Sequence, residues 1–250
     1  MNASPQTSEH IVKSYDEELK RLTGEIQRMG ERALAQLSAS IDAVMERDSD
    51  AAMKIVHDDA EIDALDHDVS HDVIRLLALR QPMARDLREI VAALKIAADI
   101  ERICDYAANV AKRSIALAQS PPVQLVYALP RMAHLALLLV KDVIDAYVAR
   151  DADKAIRVWN RDEELDAMYA SVFREFLTYM MEDPRNIGAC THLLFMAKNI
   201  ERIGDHATNI AENLYYLVHG TPLTEARPKG DRSSLEMVAP GAGVPPPPAI

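Results

Sequence analysis

The chain has 250 residues and a formal net charge of −11, with a pI near 5.2. That balance argues against nucleic acid as a main partner, because phosphate binding is driven by Lys and Arg. Its two cysteines, Cys104 and Cys190, form no CxxC pair and suggest no disulfide framework, which points to a reducing compartment. The first ten residues lack the apolar stretch of a signal peptide, and the longest greasy run, Met132 to Val140, contains His134 and ends at Lys141, too short for a bilayer. A cytoplasmic chain without membrane spans is therefore expected.

In chain order, long segments rich in Ala, Leu, Ile, Met, Glu and Arg are punctuated by proline at 82, 121, 122, 184 and 222. They predict six helices, near residues 8–46, 50–79, 83–119, 130–149, 152–181 and 185–218. Pro130 falls in the first turn of the fourth, where a missing N–H costs little. No strand pattern of useful length appears. Short connections imply antiparallel neighbours, so the fold class is all-α: two tandem pseudo-symmetric three-helix, up-down-up bundles. The expected organisation is a disordered N-terminus over 1–7, a first repeat over 8–119, a second over 123–219, and a disordered Pro-rich tail over 220–250.

The two halves carry the same message one hundred residues apart. Residues 94–111 read LKIAADIERICDYAANVA, and residues 194–211 read LFMAKNIERIGDHATNIA. What recurs is an acidic pair and its frame: Ile100/Ile200, Glu101/Glu201, Arg102/Arg202, Ile103/Ile203, Asp105/Asp205, Ala107/Ala207 and Asn109/Asn209. Glu and Asp four apart stack on one helix face. On a helical projection Glu101 and Asp105 lie about 40° apart, in a sector shared with Leu87, Ile90, Leu94, Ala97 and Ala98. Ile187, Cys190, Leu194 and Ala197 flank Glu201 and Asp205 in the same way.

Carboxylates turned to an apolar sector need compensation, by a cation from a neighbouring helix, a wet groove, protonation or a metal ion. A second pattern tilts the choice toward metal. Asp59/Asp63 and Asp162/Asp166 also stand four apart, in register across the halves and at the edges of their apolar stripes, and Arg47, Asp48, Asp50 and Glu61 align with Arg150, Asp151, Asp153 and Glu164. If all four pairs converge, the ligand set is oxygen only, which suits Mg, Mn, Ca or iron better than structural zinc. Asn109 and Asn209, one turn beyond each Asp, can reach an ion or its water shell. Arg102 and Arg202 point about 100° from the preceding Glu and are expected to contact an adjacent helix or a partner rather than bridge their own neighbour.

Two three-helix repeats, each with (E/D)-x-x-x-D and a near-identical E-R-I-x-D-x-A-x-N in its third helix, resemble the PhoU family of accessory and regulatory proteins of bacterial phosphate-specific transport. The resemblance covers residues of about 8 to 219; the Pro-rich tail departs from it. It implies a cytoplasmic, often homodimeric adaptor without catalysis of its own, which restrains the phosphate-starvation response when phosphate is plentiful. Its implied partners are the transporter ATPase PstB and the sensor histidine kinase PhoR, with membrane complexes met only through them. It also implies metal on Glu101, Asp105, Glu201 and Asp205, the ion left open among Mg, Mn, Fe and Zn.

Two other readings compete. His67-Asp68 and His71-Asp72 place two His-Asp dipeptides on one helix, which suits a metal-dependent phosphohydrolase; the second half has Ala170 and Arg174 at the positions of the two histidines. A plain helical scaffold without metal is the other. No Glu-x-x-His pair of a di-iron bundle, no Gly-rich phosphate loop and no Ser-His-Asp candidate is present.

Overall fold

In a computed structural model, which describes residues 5–122 and 124–224, α1 (Pro5–Glu46) buries one stripe made of Leu22, Ile26, Met29, Ala33, Leu37, Ile41 and Val44, the three- and four-residue spacing of a helix with a single core face. The chain continues through α2 (Ser49–Asp58), α3 (Ala60–Arg80), α4 (Arg85–Ala118), a 3₁₀ turn (Gln124–Ala128), α5 (Leu129–Ala149), α6 (Ala152–Glu182), a second 3₁₀ turn (Pro184–Asn186) and α7 (Ile187–His219). Among the described residues there is no strand, and no helix is long and apolar enough to cross a membrane.

The expected helices are all present, with three differences. The first starts at Pro5, so residues 5–7 are helical rather than part of a disordered N-terminus. The second is broken at Asp59. There two adjacent carboxylates are drawn to opposite sides, Asp58 out to Lys54 Nζ at 2.7 Å and Asp59 in to Gln36 Nε2 on α1 at 2.9 Å. The ladder tightens at this point, with Ile62 N donating to Asp59 O at 2.9 Å. In the second half the equivalent helix, α6, runs unbroken. Residues 220–224 are described, and Leu223 packs on the core. Residues 1–4 and 225–250, the rest of the expected disordered ends, lie outside the described residues.

The aligned Arg-Asp pairs are a helix stop and start made without glycine. Arg47 (φ 56°) and Arg150 (φ 57°) take the left-handed conformation that ends α1 and α5. The next amides close the turns, Asp48 N to Ala43 O at 3.0 Å and Asp151 N to Ala146 O at 2.9 Å. Asp48 then caps α2 by accepting from Ala51 N at 2.9 Å, and Asp151 caps α6 by accepting from Lys154 N at 2.8 Å. A non-glycine residue in this region costs about 1 kcal/mol, and each arginine has contacts that offset it. Arg47 donates to the carbonyls of Leu117 (3.3 Å) and Ala118 (2.8 Å) at the end of α4, and Arg150 pairs with Glu89.

The centre of the molecule is the antiparallel pair α4 and α7, the third helix of each half. Their register is read from contacts along it: Asp99 with Asn209, Tyr106 with His206 and Arg113 with Phe195. Helix α4 is covered by α1, α2 and α3, α7 by α5 and α6, and α1 also lies on α5. Where α1 meets α5, Gly30 is needed, because a Cβ there would stand 2.8 Å from Ile144 Cγ1. Ile100, Ile103, Ile200 and Ile203 are fully buried, so the frame of the doubled motif is core. Each such side chain contributes about 2 kcal/mol of transfer free energy.

Candidate functional site

Each half gathers its carboxylates where the second helical segment packs on the third. In the first half, Asp59 at the α2–α3 junction and Asp63 on α3 meet Glu101 and Asp105 on α4. Burial raises the pKa of Glu101, and the fields of Asp105, Asp63 and Asp66 add to it against the opposing charge of Arg102. Asp59 is raised by burial, then by Asp105 and Asp63, while the hydrogen bond from Gln36 pulls the other way. The Cys104 thiol, buried behind all four, is pushed far up by burial first and then by Asp59, Glu101, Asp105 and Asp63. The four expected acids therefore share one electrostatic neighbourhood.

Asp66 was not among the expected site residues. Its pKa is raised by burial and by Asp63, and its Oδ1 is buried with no hydrogen-bond partner among the described residues. Its position three residues after Asp63 was a readable signal. Arg102 overturns one expectation: it bridges its own neighbours, with Nε 3.2 Å from Glu101 Oε2 and Nη1 2.8 Å from Asp105 Oδ2. The backbone direction sets only where the side chain starts, and an arginine is long enough to curl back. Arg202 instead lies over the Tyr106 ring on α4, 5.6 Å from its centroid.

The second half is deeper. Asp162 (1% exposed) and Asp166 (3%) on α6 face Glu201 (4%) on α7, so a pair expected at the edge of its apolar stripe is the more enclosed one. The close approach depends on Gly204, whose absent Cβ would stand 2.5 Å from Asp162 Oδ1 and 2.6 Å from Leu165 Cδ2. Cys104 occupies the matching position in the first half. Burial pushes Glu201 up to about 7; Asp205 and Asp166 add to the shift and Lys198 opposes it. Lys198 Nζ donates to Glu201 Oε1 at 2.8 Å and lies 4.8 Å from the Tyr169 ring centroid. The other oxygen, Glu201 Oε2, is buried with no hydrogen-bond partner among the described residues.

The two clusters are thus related but unequal. Where the first has Asp66 and Ala98, the second has Tyr169 and Lys198, exchanging a carboxylate for an aromatic ring and adding a cation. An all-carboxylate donor set with an orphaned buried oxygen suits a hard cation in its chemistry. Among the described residues, however, no three His, Cys, Asp or Glu side chains stand in ligating geometry; Arg102 pairs with Glu101 and Asp105, and Lys198 with Glu201, each from its own helix.

The remaining candidates lie elsewhere. Asn209 donates to Asp99 Oδ1 across the α4–α7 seam at 3.2 Å, beside the His206 Nδ1 contact at 2.8 Å, and so is directed to the opposite helix. Asn109 is half-buried at the aligned position on α4. On α3, His67, Asp68 and His71 are exposed, and Asp72 is held by Arg21 and Arg75. The structure does not gather those four into a pocket.

The PhoU domain model matches residues 26–114 and 129–214, one match in each half. A phosphate-specific transport system accessory protein PhoU homolog of Xylella fastidiosa (strain 9a5c) is 58% identical over 225 residues, spanning 90% of this chain and 95% of that protein. One from Caulobacter vibrioides (strain NA1000 / CB15N) is 51% identical over 225 residues, spanning 90% and 98%. The crystal structure of PhoU from Pseudomonas aeruginosa superposes with a TM-score of 0.79 at 35% identity, covering 83% of this chain and all of that one. The phosphate transport system regulatory protein PhoU from Streptococcus pneumoniae gives 0.79 at 28% identity, covering 84% and 100%. With both halves matched and relatives aligned over nearly their full lengths, the chain belongs to the PhoU family.

Proposed function

We propose that this chain is a cytoplasmic, non-catalytic adaptor of phosphate-specific transport, which couples the transporter ATPase PstB to the sensor kinase PhoR and restrains phosphate-starvation signalling when phosphate is plentiful. The observation that carries the reading is the doubled E-R-I-x-D-x-A-x-N frame, set at matching places in two three-helix units, in a chain whose relatives are named as accessory and regulatory proteins of that system.

Metal binding and homodimerisation belong to the same proposal. An ion in the first cluster would take oxygens from Glu101, Asp105, Asp59 and Asp63. One in the second would take them from Glu201, Asp205, Asp162 and Asp166, with Arg102 and Lys198 swinging aside. The ion, of the Mg, Mn, Fe or Zn type, supplies positive charge that neutralises the acids. Within the chain, Gln36 holds Asp59 by a hydrogen bond, and the missing Cβ of Gly204 leaves room for Asp162 against α7.

The test is capture of purified PstB and of the PhoR cytoplasmic region on the immobilised chain, with and without each metal. Binding of both partners, strengthened by an ion, supports the proposal. Binding of neither under any metal condition overturns it, and phosphate-ester hydrolysis by the purified chain would favour the hydrolase reading.

A further inference from the structure

The solvent-facing seam between α4 and α7 is built from related sequences, so each feature at one end has a counterpart at the other. The counterparts here differ in kind. At one end the seam opens into a groove of about 600 Å³, bordered by Lys95, Asp99, Glu212 and Tyr216 and floored by Pro222 and Leu223. One hundred residues along, Lys95 becomes Phe195, and Lys112 and Arg113 stand for Glu212 and Asn213. There the seam carries a knob: Phe195 is 49% exposed, and the Arg113 guanidinium lies on its ring, 4.2 Å from the centroid. The guanidinium covers one face of the phenyl ring, and the rest of the ring stands in solvent. The groove is roomy enough for a ring, and its rim sets two carboxylates against one lysine: Glu212, one oxygen of which accepts from Trp159 Nε1 at 2.9 Å, and Asp99, one oxygen of which meets His206 and Asn209, leaving the second oxygen of each for a cation.

The antiparallel register puts the knob and the groove at equal distances on either side of the seam's midpoint, near Tyr106 and His206. Two copies laid seam to seam about a two-fold axis through that midpoint bring each knob to the other copy's groove, making an isologous contact twice over. We infer that the α4–α7 seam is a self-association surface of this chain, with Phe195 and Arg113 of each copy seated in the groove of the other, the guanidinium against Asp99 and Glu212. The inference rests on the proposed homodimer and specifies its surface.

Sedimentation equilibrium of the full chain is expected to give a dimer. Phe195→Glu, which sets a carboxylate against an acidic groove, is expected to weaken association at least tenfold while leaving the helical circular dichroism spectrum unchanged. Cross-linking locates the surface. Thr191→Cys lies beside the knob and Tyr216→Cys beside the groove, and one helix holds the two positions about 37 Å apart, so they cannot join within a chain. Equimolar mixing of the two single variants under mild oxidation is expected to give a disulfide-linked heterodimer that neither variant gives alone. Both native cysteines are buried. A monomeric wild-type chain overturns the dimer and the seam together. A dimer that survives Phe195→Glu and yields no mixed cross-link overturns the seam and leaves self-association standing.

Discussion

Replacing Gly204 with alanine tests whether the second carboxylate cluster is as close-packed as described. The added Cβ would lie 2.5 Å from Asp162 Oδ1 and 2.6 Å from Leu165 Cδ2, against the roughly 3.5–4.0 Å at which carbon contacts are comfortable. Both neighbours must withdraw by nearly 1 Å. Neither has room, since Asp162 is 1% exposed and Leu165 is fully buried. Overpacking of this kind costs about 1–3 kcal/mol, and with two buried obstructions the upper half of that range applies. Alanine returns up to about 1 kcal/mol through helix propensity. A net loss of about 1–2 kcal/mol is therefore expected, measured as a lower urea midpoint with an unchanged slope. Gly24→Ala is the control: it sits inside α1 with nothing within 4 Å of the added carbon, so it is expected to stabilise by about 0.5–1 kcal/mol. If Gly204→Ala is as stable as Gly24→Ala, the close approach of α6 and α7 at the cluster is refuted.

Other perturbations address the charges and caps. Glu201 binds its proton more tightly in the folded chain (pKa about 7) than in the unfolded one (4.5). Its contribution to stability in the metal-free protein is therefore full below pH 4.5 and lost as pH rises through 7. Denaturation curves across that range should show Glu201→Gln losing this slope; an unchanged slope would assign it to another group. Arg102, exposed and paired with Glu101 and Asp105, competes with any bound cation. Because such exposed pairs are worth about 0.2–1 kcal/mol, Arg102→Ala should raise calorimetric Mn²⁺ affinity by up to about fivefold, and a loss of affinity would mean that Arg102 organises the site. Asp151→Ala removes the α6 cap and is expected to lower unfolding free energy by about 1 kcal/mol, with no effect if solvent satisfies the freed amides equally well.

Helix number, order and the antiparallel packing of chain neighbours were legible because apolar periodicity and proline punctuation act locally, and the duplication was legible because its core frame must be apolar in both halves. Convergence of the Asp59/Asp63 and Glu101/Asp105 pairs stood only as a condition, because stacking four apart fixes a face on each helix and not which faces meet. What the sequence hid depends on contacts between distant residues. The break at Asp59 goes with a hydrogen bond from Gln36 on another helix. The close approach of Asp162 to α7 requires a glycine some forty residues downstream, and nothing in α6 alone distinguishes Asp162 and Asp166 from Asp59 and Asp63. Arg102 and Lys198 end on their own helix because long side chains choose among nearby partners, and helical angle does not fix that choice. Arg47 and Arg150 stop helices in a conformation associated with glycine, so their role appears only with the backbone.

Whether the clusters hold an ion is decided by the metal content and affinity of the purified chain, from elemental analysis after gentle purification and calorimetric titration of the stripped protein with Mg²⁺, Mn²⁺, Fe²⁺ and Zn²⁺. The wild type should be compared with a variant carrying Glu101→Ala, Asp105→Ala, Glu201→Ala and Asp205→Ala. Saturable binding of at least one of these ions is expected, lost in the fourfold variant while it remains helical. Equal metal content and affinity in the two proteins, or no binding by the wild type, would rule out the ion sites and leave the clusters as partly protonated acids with Arg102 and Lys198 as their cations.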